Sequence, residues 1–332
     1  MRPQLMKATL KALFPIQRTV CLEGEPGGGK TTLVREVAQE LGVHYIERHM
    51  PTMLVEDFGV MFPNKDEATM HYKLPDWFPA KGSQWDDGKG GILCFDDRNQ
   101  AGNDLQKVLA NICQARNLHG VPLADKFMVI GTGNRQTDRA GSNRVLSHLR
   151  DRETVYGYET HLEDWTAWAI DHKVKPEVIS FIRFRPNLLH DFDPQKDQCP
   201  TPRSWVEGVS ATLGVVPPEA EFDTFKGAVG EGAAAEFVGF LRIHRKLPNP
   251  DSVLMNPDAA TVPSENVVLY ALCGALAHRA SDKNMDKFVK YLGRVPGEFS
   301  VLAMSLAARR DPSVTQTQAF VDWSVDHQDL LF

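Results

Sequence analysis

Residues 24–31 read Gly-Glu-Pro-Gly-Gly-Gly-Lys-Thr, a complete G-x-x-x-x-G-K-[ST] phosphate-binding loop. No other feature narrows the possible folds as far, because such a loop works only between a buried strand and a helix. Gly24, Glu25, Pro26, Gly27, Gly28 and Gly29 allow the backbone to curl so that successive N–H groups face an anion. Lys30 then reaches the β- and γ-phosphates, and the Thr31 hydroxyl is placed to ligate Mg²⁺, with Thr32 next to it in the helix. The flanks agree: residues 19–22 (Thr-Val-Cys-Leu) suit a buried strand, and Leu33, Val37 and Leu41 recur at helical spacing. A strand feeding a glycine loop that opens a helix puts phosphates on a helix N-terminus. These residues imply a nucleotide-binding chain.

Beyond the loop, apolar runs alternate with helical patterns through the first half. Candidate strands are Val20–Glu23, Val43–Glu47, Gly91–Phe95, Phe127–Gly131 and Thr154–Tyr158. That pattern predicts an α/β fold with a doubly wound parallel sheet of about five strands. After residue 160 the pattern is mostly helical, with Glu163–His172, Pro176–Phe184, Ala233–Ile243, Asn266–Arg279 and Phe299–Arg309 as examples. A break is expected near Val215–Pro218. The expected organisation is a nucleotide-binding domain over 1–160 with an insertion at 52–87, a helical lid over 161–214, and a helical C-terminal extension over 215–332. At 332 residues the chain is long for one domain and comfortable for two.

The strand Ile92–Phe95 ends in two carboxylates, Asp96 and Asp97. A carboxylate at a strand tip orients Mg²⁺, which assigns Asp96 as a metal residue with Thr31. The next position commonly carries a glutamate that polarises the attacking water; here it is Asp97, one methylene shorter. For the pair alone, a solvated turn is the competing reading, and the upstream phosphate loop favours the site. Leu105, Val108, Leu109 and Ile112 make Asn103–Gln114 an amphipathic helix. The following strand ends in Thr132-Gly133-Asn134, and Asn134 can hold the lytic water, although an Asn capping a turn reads the same way.

Arg139, Arg144, Arg150 and Arg152 follow within fourteen residues. An always-charged planar guanidinium suits a transferring phosphoryl group. Four exceed what one active site uses, so most are expected at the surface or in ion pairs. Thr201-Pro202-Arg203 reads as N-cap, N1 and first turn of a helix. A cation there opposes the helix dipole, so Arg203 is expected to answer to a bound anion.

The order of these motifs resembles the AAA+ ATPases, and within them the MoxR-like group, over about residues 5–210. The likeness rests on Gly24–Thr31, Ile92–Asp97, Gly131–Asn134, the His148–Arg152 stretch and Thr201–Trp205. It implies that Asn134 is sensor 1, Arg152 an arginine finger acting in trans, and Arg203 sensor 2 on the lid. Residues 54–59 resemble the segment where MoxR-like proteins carry an insertion in helix 2. The family implies ATP and Mg²⁺ as cofactors and a homo-oligomeric ring, usually a hexamer. It further implies remodelling of a protein client, often with a partner that carries a von Willebrand factor A domain. Asp97 departs from the family glutamate and bears on the hydrolysis rate. Residues 215–332 match no motif.

The region 52–87 holds Phe58, Phe62, Tyr72, Trp77, Phe78 and Trp85 among glycines and prolines. It reads either as an insertion facing a pore or client, or as a satellite hydrophobic cluster under a long loop. The glycines from Gly227 to Gly232 have the wrong spacing for a dinucleotide fingerprint, and none of the 11 His shows paired ligand spacing, so no metal beyond Mg²⁺ is expected.

A net charge of −6 without a basic run argues against nucleic acid as main partner. A DNA-directed machine of clamp-loader or helicase-loader type is therefore the second reading. A small-molecule kinase is the third; it needs neither Asn134 nor a finger arginine nor a lid. The five cysteines form no C-x-x-C pair, no stretch is apolar enough to span a bilayer, and the N-terminus is unlike a signal peptide, so a cytoplasmic protein with reduced thiols is expected.

Overall fold

The computed structural model of the chain describes residues 1–65, 68–135, 138, 145–245, 247 and 249–327. Arg139 and Arg144 of the arginine-rich segment lie outside these. The chain divides into two compact units, Met1–His161 and Leu162–Phe332.

In the first unit, helix α1 (Pro3–Leu13) precedes strand β1 (Val20–Glu23), helix α2 (Lys30–Leu41) and strand β2 (His44–His49). An antiparallel pair follows, β3 (Val60–Pro63) and β4 (Met70–Lys73), and then β5 (Gly91–Asp96) and α3 (Asn103–Ala115). A two-residue ribbon, β6 (Asn117–Leu118) with β7 (Val121–Pro122), leads to β8 (Phe127–Gly133), α4 (Ser147–Arg150) and β9 (Thr154–Gly157). The main sheet has five strands in the order β2-β5-β8-β1-β9, every pairing parallel. All the strand C-termini therefore point to one edge, where open α/β sheets bind ligands.

The strand sequences explain why both sheet faces are covered. On β5, Ile92 and Cys94 join the core made with α1 and α2, whereas Leu93 and Phe95 join the core made with α3. Alternate side chains of a strand point to opposite faces, so an unbroken apolar run belongs to a strand buried on both sides. Fully burying each such large side chain contributes roughly 1.5–3 kcal/mol. Cys21 and Cys94 are buried free thiols, and burial pushes Cys21 up to about 12.

The region between β2 and β5 divides its aromatics. Phe58, Trp77 and Phe78 are buried in the same core as Phe95 and Phe127. Phe62 and Tyr72 lie exposed on the β3–β4 hairpin with Val60, Met61 and Met70. The satellite-cluster reading thus describes Phe58, Trp77 and Phe78, and the exposed Phe62 and Tyr72 lie outside that core.

The second unit is helical, running from α5 (Leu162–Asp171) and α6 (Pro176–Phe184) through α7 (Glu221–Val229) and α8 (Glu231–His244). It continues through α9 (Pro250–Met255), α10 (Asn266–Arg279), α11 (Met285–Leu292), α12 (Gly297–Arg310) and α13 (Gln318–Asp326). One hydrophobic core spans it from Trp165 to Trp323, so the segments 161–214 and 215–332 share their interior. Trp205 is fully buried there, and its indole N–H donates to the Leu188 carbonyl at 2.6 Å. Thr201 caps the helix beneath it: its hydroxyl accepts from the Ser204 N–H at 3.1 Å, and Ser204 Oγ accepts from the Thr201 N–H at 2.9 Å. Beyond this cap, Ser204–Ser210 widens into a π-helical turn, which periodicity did not predict. Among the described residues, no helix is long and apolar enough to cross a membrane.

Candidate functional site

The phosphate loop lies between β1 and α2 at the C-terminal edge of the sheet. Gly27 and Gly29 take φ of 71° and 95°, the left-handed region that glycine enters without strain, and Gly29 directly precedes the helix. The opening N–H groups of α2 have no carbonyl one turn back, which leaves them for an anion. Tyr158, just after β9, holds the loop from outside. Its hydroxyl donates to the Gly28 carbonyl at 2.9 Å, and its own N–H donates to the Glu23 carbonyl at 2.7 Å.

Lys30 is buried, and its ammonium donates to the Gly24 carbonyl (2.9 Å), the Glu25 carbonyl (2.8 Å) and Asn134 Oδ1 (3.1 Å). Residues separated by 104 positions thus meet at one amine. Asn134 also directs its Nδ2 at Asp97 Oδ1, at 3.5 Å, and its carbonyl accepts from Asn99 Nδ2. The Asp97 N–H donates to Thr132 Oγ1 at 3.2 Å. Asp97 itself has φ of 50°, a conformation that a short Asp or Asn tolerates better than a longer side chain. The backbone at this tip thus favours aspartate over a longer acid.

Asp96 gathers hydroxyls. Thr31 Oγ1 and Thr132 Oγ1 both donate to its Oδ1, the latter at 2.6 Å, while Oδ2 faces His49 Nδ1 at 3.3 Å. Burial opposes ionisation of this carboxyl, but the hydrogen bonds from Thr132, Thr31 and His49 outweigh it and hold Asp96 below its ordinary value. Hydroxyl and carboxylate oxygens beside the phosphate loop are the donors that Mg²⁺ takes, so Thr31 and Asp96 fit the ion. When bound, it would neutralise charge on the β- and γ-phosphates. His49 Nδ1, an Asp96 oxygen and an Asp97 oxygen all lie within 4.8 Å of one another.

Lys30, Thr31, Asp96, Asp97 and Asn134 therefore converge at one edge. Thr132, Tyr158 and His49 join them without having been singled out from sequence. His49 was findable only by counting parallel register: β2 runs two residues past the expected Glu47, and its last residue pairs with Asp96. The two arginines are elsewhere. Thr154 pairs with Val20, at the start of β1, whereas the loop follows Glu23 at its end. Arg152 precedes Thr154 and so lies toward the opposite edge, on the order of 10 Å or more down the sheet from its own phosphate loop. Among the described residues, its side chain makes no hydrogen bond or ion pair. Arg150 pairs with Glu23 at 3.3 Å. Arg203 belongs to the second unit, in the first turn after the Thr201 cap.

Residues 19–152 match the family described as AAA domain (dynein-related subfamily). No curated protein matches the chain. Among solved structures it is similar to NtrX from Brucella abortus, at 13% identity and a TM-score of 0.41, with 91% of this chain and 67% of that one covered. It is also similar to a protein of Cytophaga hutchinsonii that carries the provisional name ATPase, at 14% identity and a TM-score of 0.36, with 92% and 82% covered. A second NtrX structure, in complex with ADP, matches at 14% identity and a TM-score of 0.34, with 74% and 67% covered.

Proposed function

We propose that this chain, which carries an AAA domain over residues 19–152, binds ATP with Mg²⁺ and hydrolyses it to drive the remodelling of a protein partner. The observation that carries the reading is the convergence of three separated segments at the mouth of the phosphate loop: Lys30 on Asn134, Thr31 on Asp96, and Asn134 toward Asp97. Each has a separate task. The N–H groups of the loop beyond Pro26, through Thr32, and the Lys30 ammonium bind the phosphates. Asp97 and Asn134, 3.5 Å apart, orient the attacking water between them. Thr132 fixes Asp97 through its N–H and Asp96 through its carboxylate, so the two acids move together.

One side of the γ-phosphate would then be surrounded by residues of a single chain. Arg152, toward the far edge of the sheet and unpaired among the described residues, is suited to reach the nucleotide of a neighbour. The reading is therefore a homo-oligomeric ring, of hexamer type, in which assembly completes each site. Arg203 on the second unit is read as the cation that senses the bound phosphates. The likeness to MoxR-like proteins carries the finer expectation of a chaperone-like role with a client, among them proteins with a von Willebrand factor A domain.

The test separates binding from turnover. Lys30→Ala is expected to lose nucleotide affinity, because Lys30 contacts phosphates in the ground state. Asp97→Asn is expected to keep affinity and lose hydrolysis, because it acts on the water only. Equal loss of ATP affinity in both variants would overturn this division. ATP-loaded Asp97→Asn protein is also the bait for identifying the client. DNA-stimulated turnover with a steep salt dependence would instead redirect the reading to a DNA-bound machine.

A further inference from the structure

Arg98 directly follows Asp97, yet its side chain turns away from the nucleotide edge and is only 3% exposed. It lies over β8 and β1. A Cβ on Gly131 would stand 2.5 Å from Arg98 Cδ, so only glycine leaves the lane open. Along that lane Nε donates to Cys21 Sγ, and one terminal nitrogen meets Glu23 Oε1 at 3.3 Å and Glu153 Oε1 at 2.6 Å. The Glu153 side chain is 1% exposed. Glu23 in turn holds Arg150 through its other oxygen, at 3.3 Å.

Every charged member of this cluster stands within two residues of one with a role in the proposed chemistry. Glu23 precedes Gly24 of the phosphate loop, Arg98 follows Asp97, Glu153 follows Arg152, and Arg150 stands two residues before it. A guanidinium is a rigid planar fork, and in a buried site its contacts are stiff because the surroundings offer no water to replace them. A shift of the Asp97 turn therefore drags or releases Glu153 at the foot of β9.

We propose that Arg98 is a positioning residue that ties the Asp97 tip of one subunit to the turn that presents Arg152, so the state of a subunit's own site sets how well it serves its neighbour's. This rests on the reading of Arg152 as a finger acting in trans, and the test is built to separate the two.

The experiment mixes full-length subunits after co-assembly has been verified by tagged co-purification. In the reference mixture, Lys30→Ala subunits, unable to use their own pocket, supply Arg152 to Arg152→Ala subunits, which have intact pockets. Partial recovery of ATPase activity is expected. In the second mixture the donor carries Arg98→Met as well as Lys30→Ala, and recovery is expected to fall at least tenfold although the acceptor's pocket is untouched. A donor with Arg98→Lys, which keeps charge without the fork, should recover an intermediate amount. Nucleotide affinity of the acceptor should be the same in every mixture, which a merely structural defect spreading through the ring would not leave intact. Reference recovery with undiminished recovery from the Arg98→Met donor would overturn the proposal and leave the finger standing. No recovery even in the reference mixture would overturn the finger, and the proposal with it. If Arg98→Met fails to fold, Glu153→Gln replaces it in the donor, and full recovery there overturns the proposal equally.

Discussion

Replacing Gly131 by alanine tests the packing of Arg98 without touching any group that meets nucleotide. The added Cβ would stand 2.5 Å from Arg98 Cδ, 2.9 Å from Nε and 3.5 Å from Cγ. Arg98 has little freedom to retreat, because its Nε is committed to Cys21 and its Nη2 to Glu23 and Glu153. If the side chain bends within the lane, overpacking costs about 1–3 kcal/mol. If it is expelled, Glu153 is left buried without its partner, at about 3–5 kcal/mol. The expected loss is therefore at least ~1 kcal/mol, equivalent to roughly a fivefold shift in the opening equilibrium. Hydrogen exchange of peptides covering Phe127–Gly133 reports this opening for the first unit within the intact chain. Gly157→Ala is the control: it lies on the same sheet, and its Cβ would meet nothing within 4 Å. There alanine should be neutral or should stabilise by about 0.5–1 kcal/mol. Exchange in Gly131→Ala within about twofold of the parent, on the same scale as these estimates, would refute the packing argument. So would equal damage from both substitutions.

Tyr158→Phe removes the hydroxyl that holds the Gly28 carbonyl, so the loop should loosen and nucleotide affinity should fall about five- to tenfold, the worth of one hydrogen bond, by titration calorimetry. Burial, against the pull of Arg98 and Arg150 and with the push of Glu23, raises Glu153 to about 7. The folded chain then holds this proton more tightly than the unfolded one. The stability it contributes is complete below the unfolded value near 4.5 and is lost as pH rises through about 7, by up to about 3 kcal/mol. Glu153→Gln should flatten that part of the stability profile in urea titrations at stepped pH, and an unchanged slope would contradict the assignment. His49→Ala frees the second oxygen of Asp96, and the Mg²⁺ concentration for half-maximal hydrolysis should rise a few-fold in a Mg²⁺ titration, because the ring no longer orients that carboxylate.

The nucleotide half of the site was legible because its chemistry is local. Eight consecutive residues specify the phosphate loop, and a strand that ends in Asp96 and Asp97 declares its acidic tip by position alone. The apolar runs of β1, β5 and β8 likewise announced a sheet buried on both faces, since alternation fails only when both sides are dry. The pattern of Leu105, Leu109 and Ile112 did the same for the face that α3 buries.

Register across strands is not written in any one segment. Whether His49 meets Asp96 depends on how β2 aligns with β5, far along the chain, and a shift of one residue would have turned it to the other face. The course of Arg98 depends on three strands at once: a missing side chain at Gly131, a small one at Cys21 and an acid at Glu153. No motif in the sequence singles out Arg98, and only the assembled sheet makes it a buried link. Local periodicity and loop chemistry determined which elements form and where the phosphate-binding loop lies. The tertiary structure decided which distant side chains share one dry space, because burial and pairing arise only once parallel strands lie side by side.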